Sequence, residues 1–429
     1  MSGLKIGLIG AGQVGGYHLN AYQKIPNAHV HAVSDIDEKK AQDAANQFDI
    51  DHIYTDYREL LNDNEVEAVD ICVHNNLHSP ITVDSLEAGK DVFCEKPMAG
   101  SYKDAQKMYE KAKETGKRLD IQNNKLYAKE TRAAKKLIED GKLGDLFYGR
   151  ATNFKGAGVR RRSIPYIEGY GSPNFVKKEM SGGGALYDLA TYTIGQIMYL
   201  LGTPKVKRVS GKTYQNAMEM YEEGDNSVYR ERMEETGYDV EDVGLGFVEL
   251  EDDKVIAITS SWHIYLDVGN SAIVGTKGGI NLEPFQYYTT ISDIEADVSV
   301  DLEEYERRQY LLEDETELLR KSLPSDPLYH WVESLLGNES RIQTDEIALK
   351  TMQIMEGIYL SNELGREVTP KEIEEKSEST ALLLPPDLQQ YLIILYLWFL
   401  NFYKFSVTYS LSKLANSLQI SHLLPDFLV

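Results

Sequence analysis

Six residues near the start of the chain, Gly10-Ala11-Gly12-Gln13-Val14-Gly15, restrict its fold more than any other stretch. They follow a short apolar run, Leu4 to Ile9, and lead into a helix-like stretch reaching Lys24. Gly10 permits a tight turn, Gly12 lets another group approach the backbone, and Gly15 lets helix and strand pack closely. Twenty residues beyond Gly15, at the end of a second strand-like run from His29 to Ser34, stands Asp35. This spacing describes a turn that holds a dinucleotide pyrophosphate on free helix N–H groups and the positive end of the helix dipole. Gly10, Gly12, Gln13, Val14 and Gly15 are therefore expected to bind cofactor. The Asp35 carboxylate would accept hydrogen bonds from the adenosine ribose hydroxyls and repel a 2′-phosphate, and no Arg or Lys occupies positions 34 to 37. NAD is expected in preference to NADP.

The pattern around the turn agrees. Apolar runs at Ala68 to Val73 and Asp91 to Glu95 read as further strands, with helical patterns at Glu38 to Phe48, Pro80 to Ala88 and Tyr102 to Thr115. Such alternation implies a parallel sheet covered by helices. After about residue 120 the pattern changes. An amphipathic helix is predicted over Thr131 to Asp140, with Gly141 as its cap, and another over Leu186 to Leu201. Strands are predicted at Phe147 to Phe154, Val206 to Gly211, Gly244 to Glu249, Val255 to Trp262 and Ser271 to Gly275, a succession that suits a mostly antiparallel sheet. The fold class is thus α/β: a Rossmann domain over residues 1–122, then an α+β domain over 123–370. Residues 371–429 read as an atypical tail outside the fold. Glutamate is absent after Glu378, glycine is absent from Ala381 onward, and the apolar run Tyr391 to Leu400 falls short of the about 20 residues needed to span a bilayer.

A formal net charge of −23 repels phosphate backbones and anionic lipid, so neither nucleic acid nor membrane is an expected partner. Cys72 and Cys94 sit in apolar runs, without zinc-ligand spacing or a disulfide framework. No metal is expected, and a reducing, cytoplasmic setting fits. Residues 219 to 242, with ten acidic and two basic side chains, read as a solvated loop or helix edge.

Cys94-Glu95-Lys96-Pro97, after the fourth Rossmann strand, resembles the signature of the Gfo/Idh/MocA oxidoreductase family. Asn75-Asn76-Leu77-His78 resembles that family's T-P-N-x-x-H segment, with Val73-His74 in place of Thr-Pro. Gly182-Gly183-Gly184-Ala185-Leu186-Tyr187-Asp188 is similar to its second signature, and Gly275-Thr276-Lys277-Gly278-Gly279 to a hairpin. The resemblance runs from residue 3 to about 370. It implies a second domain with a large open sheet, assembly into a homodimer or homotetramer, and a sugar, inositol or related polyhydroxy substrate. It also implies that Lys96 lies beside the nicotinamide, that Glu95 binds the nearby ribose, and that Asn75, His78 and Asn124 line the cofactor. His78 also reads as a structural histidine, as does His263. Lys125, beside Asn124, would join Lys96, Asp188 and Tyr192 at the substrate.

The second signature ordinarily continues Asp-x-Gly-x-His. Here it reads Asp188-Leu189-Ala190-Thr191-Tyr192, so a tyrosine stands at the acid/base position. Asp188 and Tyr192 are four apart on a predicted helix and share a face. A free tyrosine, with a pKa of about 10, is a poor base near neutrality. A Lys96 cation nearby is expected to lower that value. Lys96, Tyr192 and Asp188 are therefore the expected catalytic residues. Arg160-Arg161-Arg162 reads either as a solvated loop or as a contact for an anionic group. Two other readings of the same fold are an NAD-binding sensor without chemistry and a glycosidase that uses NAD transiently.

Overall fold

The structure, a computed structural model, describes residues 3–154, 164–167, 171–220, 227–264, 268–312 and 325–382. The first sheet contains β1 (Leu4–Ile9), β2 (Ala28–Ser34), β3 (His52–Tyr54), β4 (Ala68–Ile71), β5 (Asp91–Cys94) and β6 (Leu119–Ile121), in the order β3-β2-β1-β4-β5-β6. Every neighbouring pair is parallel. Ala68, Val69, Asp70 and Ile71 of β4 are all buried, as expected for a parallel strand covered on both faces. The strand order reverses between β1 and β4, and the ends of such strands are where ligands bind in open α/β sheets. The glycine turn leaves the end of β1, and the Glu-Lys-Pro turn leaves the end of β5.

The second sheet contains β7 (Leu146–Phe154), β8 (Val206–Tyr214), β9 (Val243–Leu250), β10 (Val255–Ser261), β11 (Ala272–Gly275), β12 (Gly278–Leu282), β13 (Phe285–Ile291) and β14 (Ile294–Ser299). Its order is β14-β13-β12-β11-β7-β10-β9-β8. β7 and β10 are parallel, and the other pairs are antiparallel. Two helices, Thr191–Leu200 and Thr344–Leu364, cover one face: a Cβ on Gly149 of β7 would meet Ile197, and one on Gly246 of β9 would meet Ile358. The opposite face leaves Tyr214, Leu245 and Phe247 exposed.

Two features revise the sequence division. The helix Pro327–Leu335 returns to the first sheet, where Leu328, Trp331 and Val332 pack with Ile6, Tyr22 and Phe93. The helix Pro370–Lys376, closed by a Thr369–Glu372 capping box, also belongs to the body, which runs to Ala381 and not to 370. Beyond the helix, Ser379 Oγ and Thr380 N donate to the two oxygens of buried Asp104, at 2.6 and 2.8 Å. Ending the chain at Glu378 keeps the helix but strips these partners from a buried carboxylate. It is expected to cost about 1–3 kcal/mol, read as a lower melting temperature, whereas ending it after Leu382 keeps both bonds. The apolar run 391–400 lies outside the described residues. Among those described, no helix is long and apolar enough to cross a membrane.

Candidate active site

The glycine turn has the shape its spacing implied. Gly10 adopts φ +101, a conformation that side chains rarely tolerate, and a Cβ on Gly15 would stand 2.1 Å from Gly10 O. A Cβ on Gly12 would meet nothing within 4 Å. Gly12 is the N-cap of the helix Gln13–Tyr22 and supplies no side-chain cap, and Gln13 and Val14 lie exposed in the first turn. The result is an open cradle of backbone donors at a helix N-terminus, which fits a pyrophosphate. Asp35, at the end of β2, accepts from Ala11 N at 2.8 Å and Asp37 N at 2.9 Å, so its carboxylate hangs over the lip of the turn. Ile36, beside it, is 95% exposed.

The Glu-Lys-Pro turn follows β5 with a cis Lys96–Pro97 bond. Lys96 Nζ reaches across to the second domain and donates to Asp188 Oδ1 at 3.0 Å and Asp188 O at 3.1 Å. It also lies 4.7 Å from the centre of the Tyr192 ring. Sequence reasoning therefore placed these three side chains together correctly, though the segment carrying two of them is not a plain α-helix. Leu186–Ala190 forms a π-turn before the α-helix Thr191–Leu200 begins. A wide turn frees carbonyls from the helical ladder, and here side chains satisfy them. Lys96 takes Asp188 O and Asn153 Nδ2 takes Leu189 O, while Asn123 Nδ2 reaches Tyr192 O in the helix that follows.

The electrostatics depart from the expectation for Tyr192. Burial opposes the charged lysine, but the Asp188 carboxylate, with Tyr192 and Glu95, outweighs it and raises Lys96 well above an ordinary lysine. Burial likewise raises Tyr192, and the Lys96 charge only partly offsets this. The net shift is upward, not downward as predicted. Desolvation of the phenolate costs more than one cation, already shared with Asp188, returns. Near neutrality the centre thus holds an ammonium, a carboxylate and a neutral phenol.

Other expected residues stand differently. His78 is fully buried, its ring nitrogens 2.8 Å from Pro97 O and 3.2 Å from Val73 O, so it braces the Glu-Lys-Pro turn instead of facing the cofactor. Asn75 Nδ2 donates to Ser181 O at 2.6 Å and ties the turn after β4 to the triple-glycine segment. Asn124 is exposed, whereas its neighbour Asn123 touches the Tyr192 segment. Lys125 pairs with Glu283. Arg160, Arg161 and Arg162 lie outside the described residues. The acidic stretch is not solvated throughout. Glu241 and Asp242 are buried, and Glu241 accepts from Gly184 N and Leu186 N, both at 2.9 Å, capping the turn that carries Asp188.

Two groups escaped the sequence reading. Trp262, fully buried among Ile164, Ile167, Val176 and Leu189, donates from Nε1 to Asp188 Oδ2 at 2.9 Å. Asp188 is thereby held from both sides. His18, on the buried face of the first helix, lies 2.8 Å from Asp70 Oδ2 and 3.1 Å from Glu95 Oε1. A signal existed for the second: Asp70 interrupts an otherwise apolar strand, and a buried carboxylate needs partners. Cys72, expected to lack a metal-like neighbourhood, has Sγ 3.3 Å from His18 Nδ1.

Comparison with known proteins places the whole arrangement. Residues 4–123 match the family described as "Oxidoreductase family, NAD-binding Rossmann fold", and residues 131–281 match the "GFO/IDH/MocA C-terminal domain". The chain is 28% identical over 292 residues to D-glucoside 3-dehydrogenase of Escherichia coli, covering 67% of this chain and 79% of that protein. It is 38% identical over 143 residues to an inositol 2-dehydrogenase/D-chiro-inositol 3-dehydrogenase of Lactiplantibacillus plantarum, covering 33% and 41%. An oxidoreductase from Agrobacterium radiobacter, solved with NAD+, L-tartaric acid and magnesium, has the same fold at a TM-score of 0.66 and 21% identity, covering 87% of this chain and all of that one. Both family domains are thus present in the order that brings the Glu-Lys-Pro turn against the second signature, and the chain belongs to the GFO/IDH/MocA oxidoreductases, with an NAD-binding Rossmann fold at residues 4–123.

Proposed function

We propose that this chain is an NAD(H)-dependent dehydrogenase that moves a hydride between the nicotinamide and a hydroxyl-bearing carbon of a sugar, inositol or related polyol. The observation that carries the reading is the convergence of Lys96, Asp188 and Tyr192 from two domains at the carboxyl end of the Rossmann strands. The named activities of the relatives, on glucosides and inositols, point to the same substrate class. NAD supplies a hydride acceptor at the nicotinamide; the protein must hold the substrate and move a proton.

The residues divide that work. Lys96, kept cationic by Asp188, donates a hydrogen bond to the reacting oxygen and stabilises the negative charge that develops there. Tyr192 stands on the other side of the same ammonium. As a neutral phenol it donates its proton to a carbonyl oxygen in reduction, and as a phenolate it takes the hydroxyl proton in oxidation. Asp188, fixed by Lys96 and Trp262, orients the ammonium and presents carboxylate lone pairs to a neighbouring substrate hydroxyl. Because the folded pKa of Tyr192 is raised, its phenolate forms only as pH climbs through that higher value. Oxidation is expected to accelerate steadily into the alkaline range. Reduction should hold near neutrality and decline only in the alkaline range.

At the adenosine end Asp35 selects against a 2′-phosphate, and exposed Ile36 offers an apolar surface to the adenine. Replacing Asp35→Ser together with Ile36→Arg is expected to shift the kcat/KM ratio toward NADP by roughly a hundredfold, about 2.7 kcal/mol of differential binding. Steady-state rates with both cofactors read this directly. On the far sheet, Tyr214, Leu245 and Phe247 share one face by strand register, and we assign that face to contact between copies in a homo-oligomer. The function itself is tested by following nicotinamide absorbance with NAD across aldoses, alkyl glucosides and inositols. NAD binding without a rate on any polyhydroxy compound would remove the dehydrogenase and leave a sensor or a glycosidase that uses NAD transiently.

A further inference from the structure

Beneath the reaction centre lies a buried chain of charges that the mechanism above does not use. Asp70 of β4 is fully buried and His18 is 5% exposed. Tyr22, one turn along the helix from His18, donates to Asp70 Oδ2 at 2.9 Å. The ring of His18 spans the gap to Glu95, which in turn accepts from Lys96 N through Oε2 at 2.9 Å. The order is therefore Asp70, His18, Glu95 and the Lys96 backbone amide, running from the buried strand out to the turn that carries the site. An ionised carboxylate only accepts hydrogen bonds. With a carboxylate oxygen at each ring nitrogen, the arrangement is satisfied when both nitrogens carry hydrogen, which makes His18 an imidazolium.

We infer that His18 is a positioning residue that, as an imidazolium anchored on Asp70, fixes the Glu95 carboxylate for the nicotinamide-side ribose and so couples the glycine-turn helix to the Glu-Lys-Pro turn. The inference rests on the reading, implied by the family resemblance, that Glu95 is a ribose ligand. The groups that face His18 are Tyr22 on its own helix, Asp70 and Cys72 at β4, and Glu95 after β5, with Phe93 of β5 edge-on at 6.1 Å. Asp326 adds negative charge near Tyr22. Burial opposes the charged ring, yet Asp70 and the neighbouring groups raise His18 well above an ordinary histidine. The Cys72 thiol, pushed up to about 12 mainly by burial, stays neutral beside it. The anchoring charge is therefore present at neutral pH and is lost as pH rises through the raised value. Dinucleotide affinity should weaken over that range.

NADH binding by nicotinamide fluorescence, measured from neutral to alkaline pH, tests this apart from turnover. His18→Gln is expected to weaken NADH by about tenfold at neutral pH and to abolish the alkaline decline. Asp70→Asn keeps a polar partner for the ring but removes its counter-charge, so the decline should move to lower pH even if His18→Gln folds poorly. NADH affinity left unchanged at neutral pH in a folded His18→Gln, or an alkaline midpoint that Asp70→Asn leaves in place, overturns the inference. Glu95→Gln separates the two claims. Weak NADH binding in Glu95→Gln beside normal binding in a folded His18→Gln removes the role of His18 alone, whereas unaltered binding in Glu95→Gln removes the ribose assignment and the inference with it.

Discussion

A Lys96→Met variant should bind NADH within a few-fold of wild type and turn over roughly a thousandfold more slowly. Methionine preserves length and bulk but carries no charge. The variant loses the hydrogen bond to the reacting oxygen and takes the ammonium away from Asp188, 10% exposed, leaving its carboxylate without that counter-charge. The loss combines a missing electrostatic donor, worth about 10²–10³ in rate, with a proton transfer that no longer has a cation beside it. Tyr192→Phe, which keeps the ring and removes one oxygen, should lose about 10²–10³ and flatten the alkaline rise of the oxidation rate. Single-turnover rates alongside NADH titrations separate chemistry from binding. Full turnover in either variant removes it from the centre.

Gly15→Ala is expected to be a damaging single methyl in the Rossmann domain. The added Cβ would stand 2.1 Å from a backbone oxygen, Gly10 O, and backbone cannot swing aside as a flexible side-chain tip can. Either the helix slides away from β1 or the turn at Gly10 opens. Both outcomes misplace the N–H groups that cradle the pyrophosphate. A cost of about 1–3 kcal/mol is expected from overpacking, with NADH affinity falling at least tenfold. Gly16→Ala is the natural control for stability, because a Cβ there meets nothing within 4 Å. Alanine inside a helix is worth up to about 1 kcal/mol over glycine. Thermal melts that rank the two variants the other way would show that the close approach at Gly15 is not what holds the turn.

The same contrast between local and distant constraint explains what could be read in advance. The helix Tyr102–Thr115 has the ends its pattern predicted, and the structure shows both are set locally, by Ser101 as N-cap and by Gly116 in a left-handed conformation. The glycine turn, Asp35 and the mostly antiparallel second sheet were legible for the same reason. The body's end was not. Glutamate and glycine counts drift along a chain without marking where side chains find partners, and Ser379 and Thr380 find theirs on Asp104, far away in sequence.

The amino-acid sequence alone carried the glycine turn and the acid twenty residues beyond it, because residues close together let spacing dictate geometry. The pairing of the lysine turn with the Asp–Tyr segment, 92 residues away, was legible only through resemblance to a known family. Tertiary structure alone decided the charge states that matter: burial lifts Tyr192 despite its lysine, Trp262 and Lys96 clamp Asp188, and His18 joins Asp70 to Glu95. Desolvation and pairing depend on which groups share a low-dielectric space, and that is set by packing between segments that spacing along the chain does not relate.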